Sequence, residues 1–120
     1  MAKFMFIFRG GGYATPGLLS PTELQQHLAR WNAWTSALLK TGPQTSAHAL
    51  AYPASGATVR GRDRNVTDGP YAESKDLVSG VFVVEAASLA AASELARGCP
   101  ILEHDGGSVE VRPVMEAPAG

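Results

Sequence analysis

Two stretches decide the fold: Lys3-Phe4-Met5-Phe6-Ile7-Phe8 and Gly80-Val81-Phe82-Val83-Val84-Glu85. Successive side chains of a strand point to opposite faces, so Phe4, Phe6 and Phe8 share one face while Met5 and Ile7 share the other. Both faces are apolar, and both need cover. Val81, Phe82, Val83 and Val84 read the same way, as a strand buried on both sides. A sheet built on two such strands packs helices on one side and needs a further layer on the other.

Outward from the first strand, Gly10-Gly11-Gly12 breaks the pattern and a loop runs to Ser20. Ser20-Pro21-Thr22-Glu23 is a helix start: Ser20 caps, Pro21 takes the first helical position and Glu23 completes a capping box. The helix is expected to run to about Lys40. Leu24, Leu28, Trp31, Thr35 and Leu38 follow a helical spacing and make one apolar stripe. Gly42-Pro43 ends it. Short strands are expected at Ala47 to Ala51 and Ala57 to Arg62, with Pro53-Ala54-Ser55-Gly56 between them. Arg60, Arg62 and Arg64 share a parity and would line one face of such a strand. Asp68-Gly69-Pro70 reads as a turn. Ser88 caps a second, alanine-rich helix from Leu89 to Arg97, stopped by Gly98 and Pro100. The last strand is Ser108 to Arg112, with Val109 and Val111 facing one way and Glu110 and Arg112 the other. The order of elements is a twofold repeat of split βαβ units, an α+β, ferredoxin-like fold. Both helices then lie on one face, and the economical cover for the other apolar face is the same sheet of a second chain. A homodimer packed sheet against sheet is the expectation.

The 120 residues fit a single domain, 1–120. A chain of this length buries about 65% of its unfolded surface and needs no disulfide or metal to fold. Hydrophobic residues at 45% and charged residues at 18% are a globular composition. Ten Lys and Arg against eleven Asp and Glu leave a net charge of -1, without the basic footprint of a nucleic-acid binder. With Cys99 as the one cysteine, an intramolecular disulfide and a cysteine-built zinc site are both excluded. No apolar run approaches the ~20 residues of a membrane span. The apolar start is too short for a signal peptide, and a cytoplasmic location is expected.

Several residues bear chemistry. His27 flanks the helical stripe. A histidine there either works as an acid or base in a half-buried cleft or sits at the core edge, bonded to a backbone carbonyl. Trp31 and Trp34 read as core packing. The polar cluster Tyr71, Glu73, Lys75 and Asp76 is either a binding loop at a strand end or a solvated loop. Arg112 can hold a carboxylate or phosphate through its bidentate fork, or pair with Glu110 on the same face. His104 and Asp105 adjoin Gly106-Gly107, but His27, His48 and His104 lack metal-ligand spacing, so neither a metal nor any cofactor is expected. The Gly10-Gly11-Gly12 run continues into neither phosphate-loop motif. Cys99, between Gly98 and Pro100, reads as a buried structural thiol.

Val66-Thr67-Asp68-Gly69-Pro70-Tyr71-Ala72-Glu73-Ser74-Lys75 resembles the signature of the YCII-related, or DGPF, family. Cys99-Pro100 followed by Gly106-Gly107-Ser108-Val109-Glu110-Val111-Arg112-Pro113 is similar to that family's closing motif, and His27 to Trp34 to its first helix. Tyr71 stands where the family has Phe, and Asp76 where it has Glu. The resemblance implies a ferredoxin-like fold that pairs as a dimeric α/β barrel. It also implies a His–Asp acid–base pair, with His27 at the helix position and Asp68 as the motif aspartate. The family has no settled reaction, and some members are associated with extracytoplasmic-function sigma factors. Two functions are therefore expected. One is a small enzyme using His27 and Asp68, with Tyr71, Glu73, Lys75 and Arg112 around a small anionic molecule. The other is a non-catalytic ligand-binding or regulatory module.

Overall fold

The computed structural model describes residues 2–10, 19–41, 44–50, 56–69, 77–103 and 106–116. The loop glycines Gly11 and Gly12, the cluster Tyr71, Glu73, Lys75 and Asp76, and the pair His104 and Asp105 lie outside the described residues.

The chain runs β1 (Ala2–Arg9), α1 (Pro21–Thr41), β2 (Gln44–Ala49), β3 (Ala57–Arg60), β4 (Asn65–Asp68), β5 (Val78–Ala86), α2 (Leu89–Ala96), a 3-10 helix (Pro100–Glu103) and β6 (Ser108–Pro113). The main sheet has four strands in the order β2-β5-β1-β6, every neighbouring pair antiparallel. The two halves β1-α1-β2 and β5-α2-β6 thus interleave so that β1 and β5 are central, which is the ferredoxin-like arrangement the sequence predicts.

The helix starts follow the sequence chemistry. Glu23 N–H donates to Ser20 Oγ at 3.1 Å, and Ser20 N–H donates to Glu23 Oε1 at 3.2 Å, a complete capping box. Ser88 Oγ accepts from Ala91 N–H at 3.1 Å at the head of α2.

Phe4, Phe6, Phe8, Phe82 and Val84 point from the two central strands into the core. Trp31 and Trp34 of α1 meet them: Trp31 lies edge-on to Phe8 at 5.2 Å, and Trp34 stacks on Phe82 at 5.5 Å. Edge-to-face and offset stacks are the arrangements the ring quadrupole favours. Ala92 and Ala96 bring α2 onto the same core. The core face of α1 differs from the expected stripe at one position. Leu28 is 46% exposed, and the wholly buried residue of that turn is His27. The two bulky indoles at 31 and 34 set the helix rotation, and that rotation turns position 27 inward.

The far face of the sheet has no layer from the described helices. Paired residues share a face, so the register lines up Glu110, Ile7, Val81 and His48 in one row across β6, β1, β5 and β2. Arg112, Met5, Val83 and Ser46 form the next row, and Lys3 lies beside Glu85 beyond it.

Two sequence expectations between β2 and β5 are corrected. Arg60, Arg62 and Arg64 do not line a strand face, because β3 ends at Arg60 and residues 61–64 form the turn of a hairpin. Gly61 and Arg64 both adopt positive φ there. The segment before Asp68 is a strand in its own right: β4 pairs with β3, Val59 opposite Val66. The turn residue proper is Gly69, with φ +75. Its N–H donates to the Gly56 carbonyl at 2.8 Å, and the Thr58 hydroxyl donates to its carbonyl at 2.6 Å.

Candidate functional site

His27 lies on the inner face of α1 with no exposed surface. One turn later on the same helix, Trp31 Nε1–H donates to His27 Nε2 at 2.8 Å. An indole nitrogen can only donate, so Nε2 carries the lone pair and the ring proton resides on Nδ1. The imidazole is therefore neutral in this arrangement. Its other nitrogen looks toward the chain that follows α2. Gly98 and Pro100 end that helix, and the 3-10 turn from Pro100 to Glu103 brings Glu103 Oε2 to 3.8 Å from His27 Nδ1. The same oxygen accepts from Arg30 Nε–H at 2.8 Å. Glu103 is half-exposed, as is Arg30, so the cluster runs from a dry imidazole through a carboxylate to a solvated guanidinium.

Cys99 is buried at the base of this turn. Burial pushes its thiol up to about 12, opposed by a backbone hydrogen bond involving Ile101 and helped by the Glu103 charge. A thiol that stays protonated is not a nucleophile, which agrees with a structural Cys99.

The residues singled out from the sequence fall in different places. Asp68 ends β4 and is exposed in the hairpin, whereas His27 is buried under α1. The hairpin carries a groove of its own, lined by Arg60, Gly61, Asp63, Asn65 and Thr67. Arg112 pairs with Met5 on the far face of the sheet, so the sheet stands between it and His27. Its guanidinium Nε lies 3.8 Å from Glu110 Oε2, and Arg9 also hydrogen-bonds Glu110. Tyr71, Glu73 and Lys75 lie outside the described residues. Among the described residues no group of three or more His, Cys, Asp or Glu is placed to hold a metal, and no helix is long and apolar enough to cross a membrane.

Glu103 carries no signal of its own in the sequence. It lies 76 positions from His27, in no motif of its own, and only the turn after α2 joins them.

A comparison with curated proteins finds no match. The family model for the YCII-related domain matches residues 12–118, which takes in His27, the Asp68-Gly69-Pro70 segment and the closing strand alike. With a match across nearly the whole length and a ferredoxin-like sheet order beneath it, the chain belongs to the YCII-related family.

Proposed function

We propose that this YCII-related protein acts on a small anionic molecule by acid–base chemistry, with His27 as the proton-carrying group. The observation that supports it is the state of the imidazole: wholly buried, its proton on Nδ1 facing Glu103, and its Nε2 accepting from Trp31 Nε1–H. A carboxylate on the Nδ1 side fixes tautomer and orientation and stabilises the imidazolium that forms when Nε2 takes a proton. Rotation of the Trp31 indole would uncover the Nε2 lone pair. Arg30, already beside Glu103, is a cation on the same side of the sheet for an anionic group. Asp68, the motif aspartate, remains a second candidate carboxylate. The protein works as a homodimer, because the far face of β1 and β5 presents Met5, Ile7, Val81 and Val83 together.

Thermal shift against a panel of small carboxylates and phosphates, followed by proton NMR of each hit, tests the chemistry. The expected result is a hit that is consumed by the wild type and not by His27→Gln, while His27→Gln still binds it. Glu103→Gln and Asp68→Asn then show which carboxylate assists, by which one slows consumption. Equal consumption by His27→Gln overturns the proposal.

A second function is favoured by one observation: Nε2 is already occupied by Trp31. A histidine so engaged can be a fixed part of the core, and the domain a non-catalytic binding or regulatory module. Hits that stabilise the wild type and His27→Gln equally, with no consumption, favour this module.

A further inference from the structure

Arg30 stands three residues after His27, on the same side of α1. Its Nε–H donates to Glu103 Oε2 at 2.8 Å, and that same oxygen lies 3.8 Å from His27 Nδ1. The bond occupies one edge of the guanidinium. No other described residue engages it, so both terminal nitrogens are open on a side chain that is 48% exposed. Two nitrogens side by side on a rigid fork match the oxygen pair of a carboxylate or phosphate. Glu103 holds the fork in place before any ligand arrives, which lowers the cost of ordering it.

The charges around His27 decide what such an anion does. Among the described residues, Arg30 and Glu103 offset each other, and the neutral imidazole adds no charge. Glu23, one turn before His27, is exposed and tied into the capping box. Cys99 keeps its proton up to about 12 and is uncharged at neutral pH. On the core side β1 and β5 present phenylalanines and Val84, and α2 presents alanines. A second proton on the imidazole therefore puts one net positive charge into a dry place. With an anion on Arg30, the same proton balances the set: the anion with Arg30, and His27 with Glu103. Anion and proton thus strengthen each other's binding by one common factor. Charges one guanidinium apart, partly screened by solvent, are coupled by about tenfold. The proton also breaks a bond. A protonated Nε2 cannot accept from Trp31 Nε1–H, so the indole has to turn away.

We propose that Arg30 is the specificity-determining residue for the ligand's anionic group, a carboxylate or phosphate held on its two terminal nitrogens, and that this anion and the proton on His27 Nε2 are taken up together. This rests on the acid–base function put forward above and adds how the ligand's own charge stabilises the imidazolium.

Sulfate is the probe, because it keeps its charge throughout the titration of a histidine. Chloride at equal ionic strength is the reference. Nitrogen-15 NMR of the full chain follows the His27 ring, the Trp31 indole and the Arg30 side chain. Sulfate is expected to shift the Arg30 signals and to make His27 hold its proton about tenfold more tightly. The Trp31 signal is expected to move in step with that proton. Arg30→Gln is expected to lose the sulfate effect on His27 and Trp31, and Arg30→Lys to keep only part of it. Arg97→Gln, at the end of α2 where Arg97 bonds Glu94, is expected to keep all of it. Sulfate that leaves the Arg30 signals unmoved overturns the site. A His27 that binds its proton equally in both salts, or stays neutral in both until the fold is lost, overturns the linkage. A sulfate effect that survives in Arg30→Gln overturns the role of Arg30. Should Arg30→Gln fail to fold, Arg30→Lys decides, and an undiminished sulfate effect there overturns the same role. The measurement needs no turnover, so loss of this linkage and loss of the acid–base reaction are separate results.

Discussion

Trp31 Nε1–H points into the ring of His27, 2.8 Å from Nε2, one helical turn along α1. The pair is both a structural bond in a dry core and a cover over the only lone pair the imidazole has to offer. Replacing Trp31 with Phe keeps a ring against Phe8 and Phe82 but removes the donor. The buried Nε2 then loses its partner, at a cost of about 1–3 kcal/mol. Chemical denaturation measures that loss. Nitrogen-15 NMR is expected to show wild-type His27 with its proton on Nδ1 alone. A wild-type spectrum with the proton on Nε2 would contradict the geometry.

Much of this pair was legible in the sequence and its orientation was not. The capping box at Ser20 to Glu23 marks where α1 begins, and the spacing of Trp31 and Trp34 marks them as core. Helical spacing alone chose Leu28 over His27, because hydropathy ranks leucine as the inward residue. The structure exposes Leu28 and buries His27, since the helix rotates to seat both indoles on the sheet and Nε2 finds a donor there. Glu103 was illegible for a different reason. Its nearness to His27 depends on where a 3-10 turn deposits it after α2, and no local periodicity encodes that. The β3–β4 hairpin is half legible: Ala57 to Arg60 reads as a strand, but Val66 is exposed, so β4 lacks the buried alternation that announces a strand.

Cys99 sets an alkaline limit. Its thiol keeps its proton up to about 12 in the folded chain, whereas an ordinary thiol ionises near 9.0. Between those values the unfolded chain binds fewer protons than the folded one, so stability falls as pH rises from about 9 to about 12. Below about 9 both states hold the proton and Cys99 contributes no slope. Denaturant midpoints of the wild type are expected to drop across this window more steeply than those of Cys99→Ala. A thiol reagent at pH 8 is expected to label Cys99 only after denaturant is added.

Gly10 ends β1 with φ +76, and a Cβ there would run into the Gly106 carbonyl oxygen of the loop leading to β6. Gly10→Ala therefore meets both backbone strain and a backbone clash, and neither is relieved by turning a side chain. A loss of about 1–3 kcal/mol is expected. Gly106 also has positive φ but open space around its Cβ position. Gly106→Ala is expected to cost less, about 1 kcal/mol. Thermal unfolding of the two variants checks the order, and Gly106→Ala as the weaker protein would reverse it.

The two faces of β1 make opposite predictions for neighbouring residues. Phe6 has no exposed surface and lies within the aromatic core, 6.3 Å from the Trp34 ring. Phe6→Ala deletes a fully buried ring and is expected to cost about 3–5 kcal/mol. Ile7, the next residue, faces the other way, opposite Glu110 on β6 and Val81 on β5. Ile7→Lys places its ammonium beside the Glu110 carboxylate and lays its methylene stem along Val81, so a single subunit tolerates it. In a sheet-against-sheet dimer the same lysine has to enter an apolar layer, where an unmatched charge is costly. Ile7→Lys is thus expected to stay folded by circular dichroism and to sediment as a monomer where the wild type is a dimer. A folded Ile7→Lys that dimerises as strongly as the wild type would show that the far face of the sheet is not the contact.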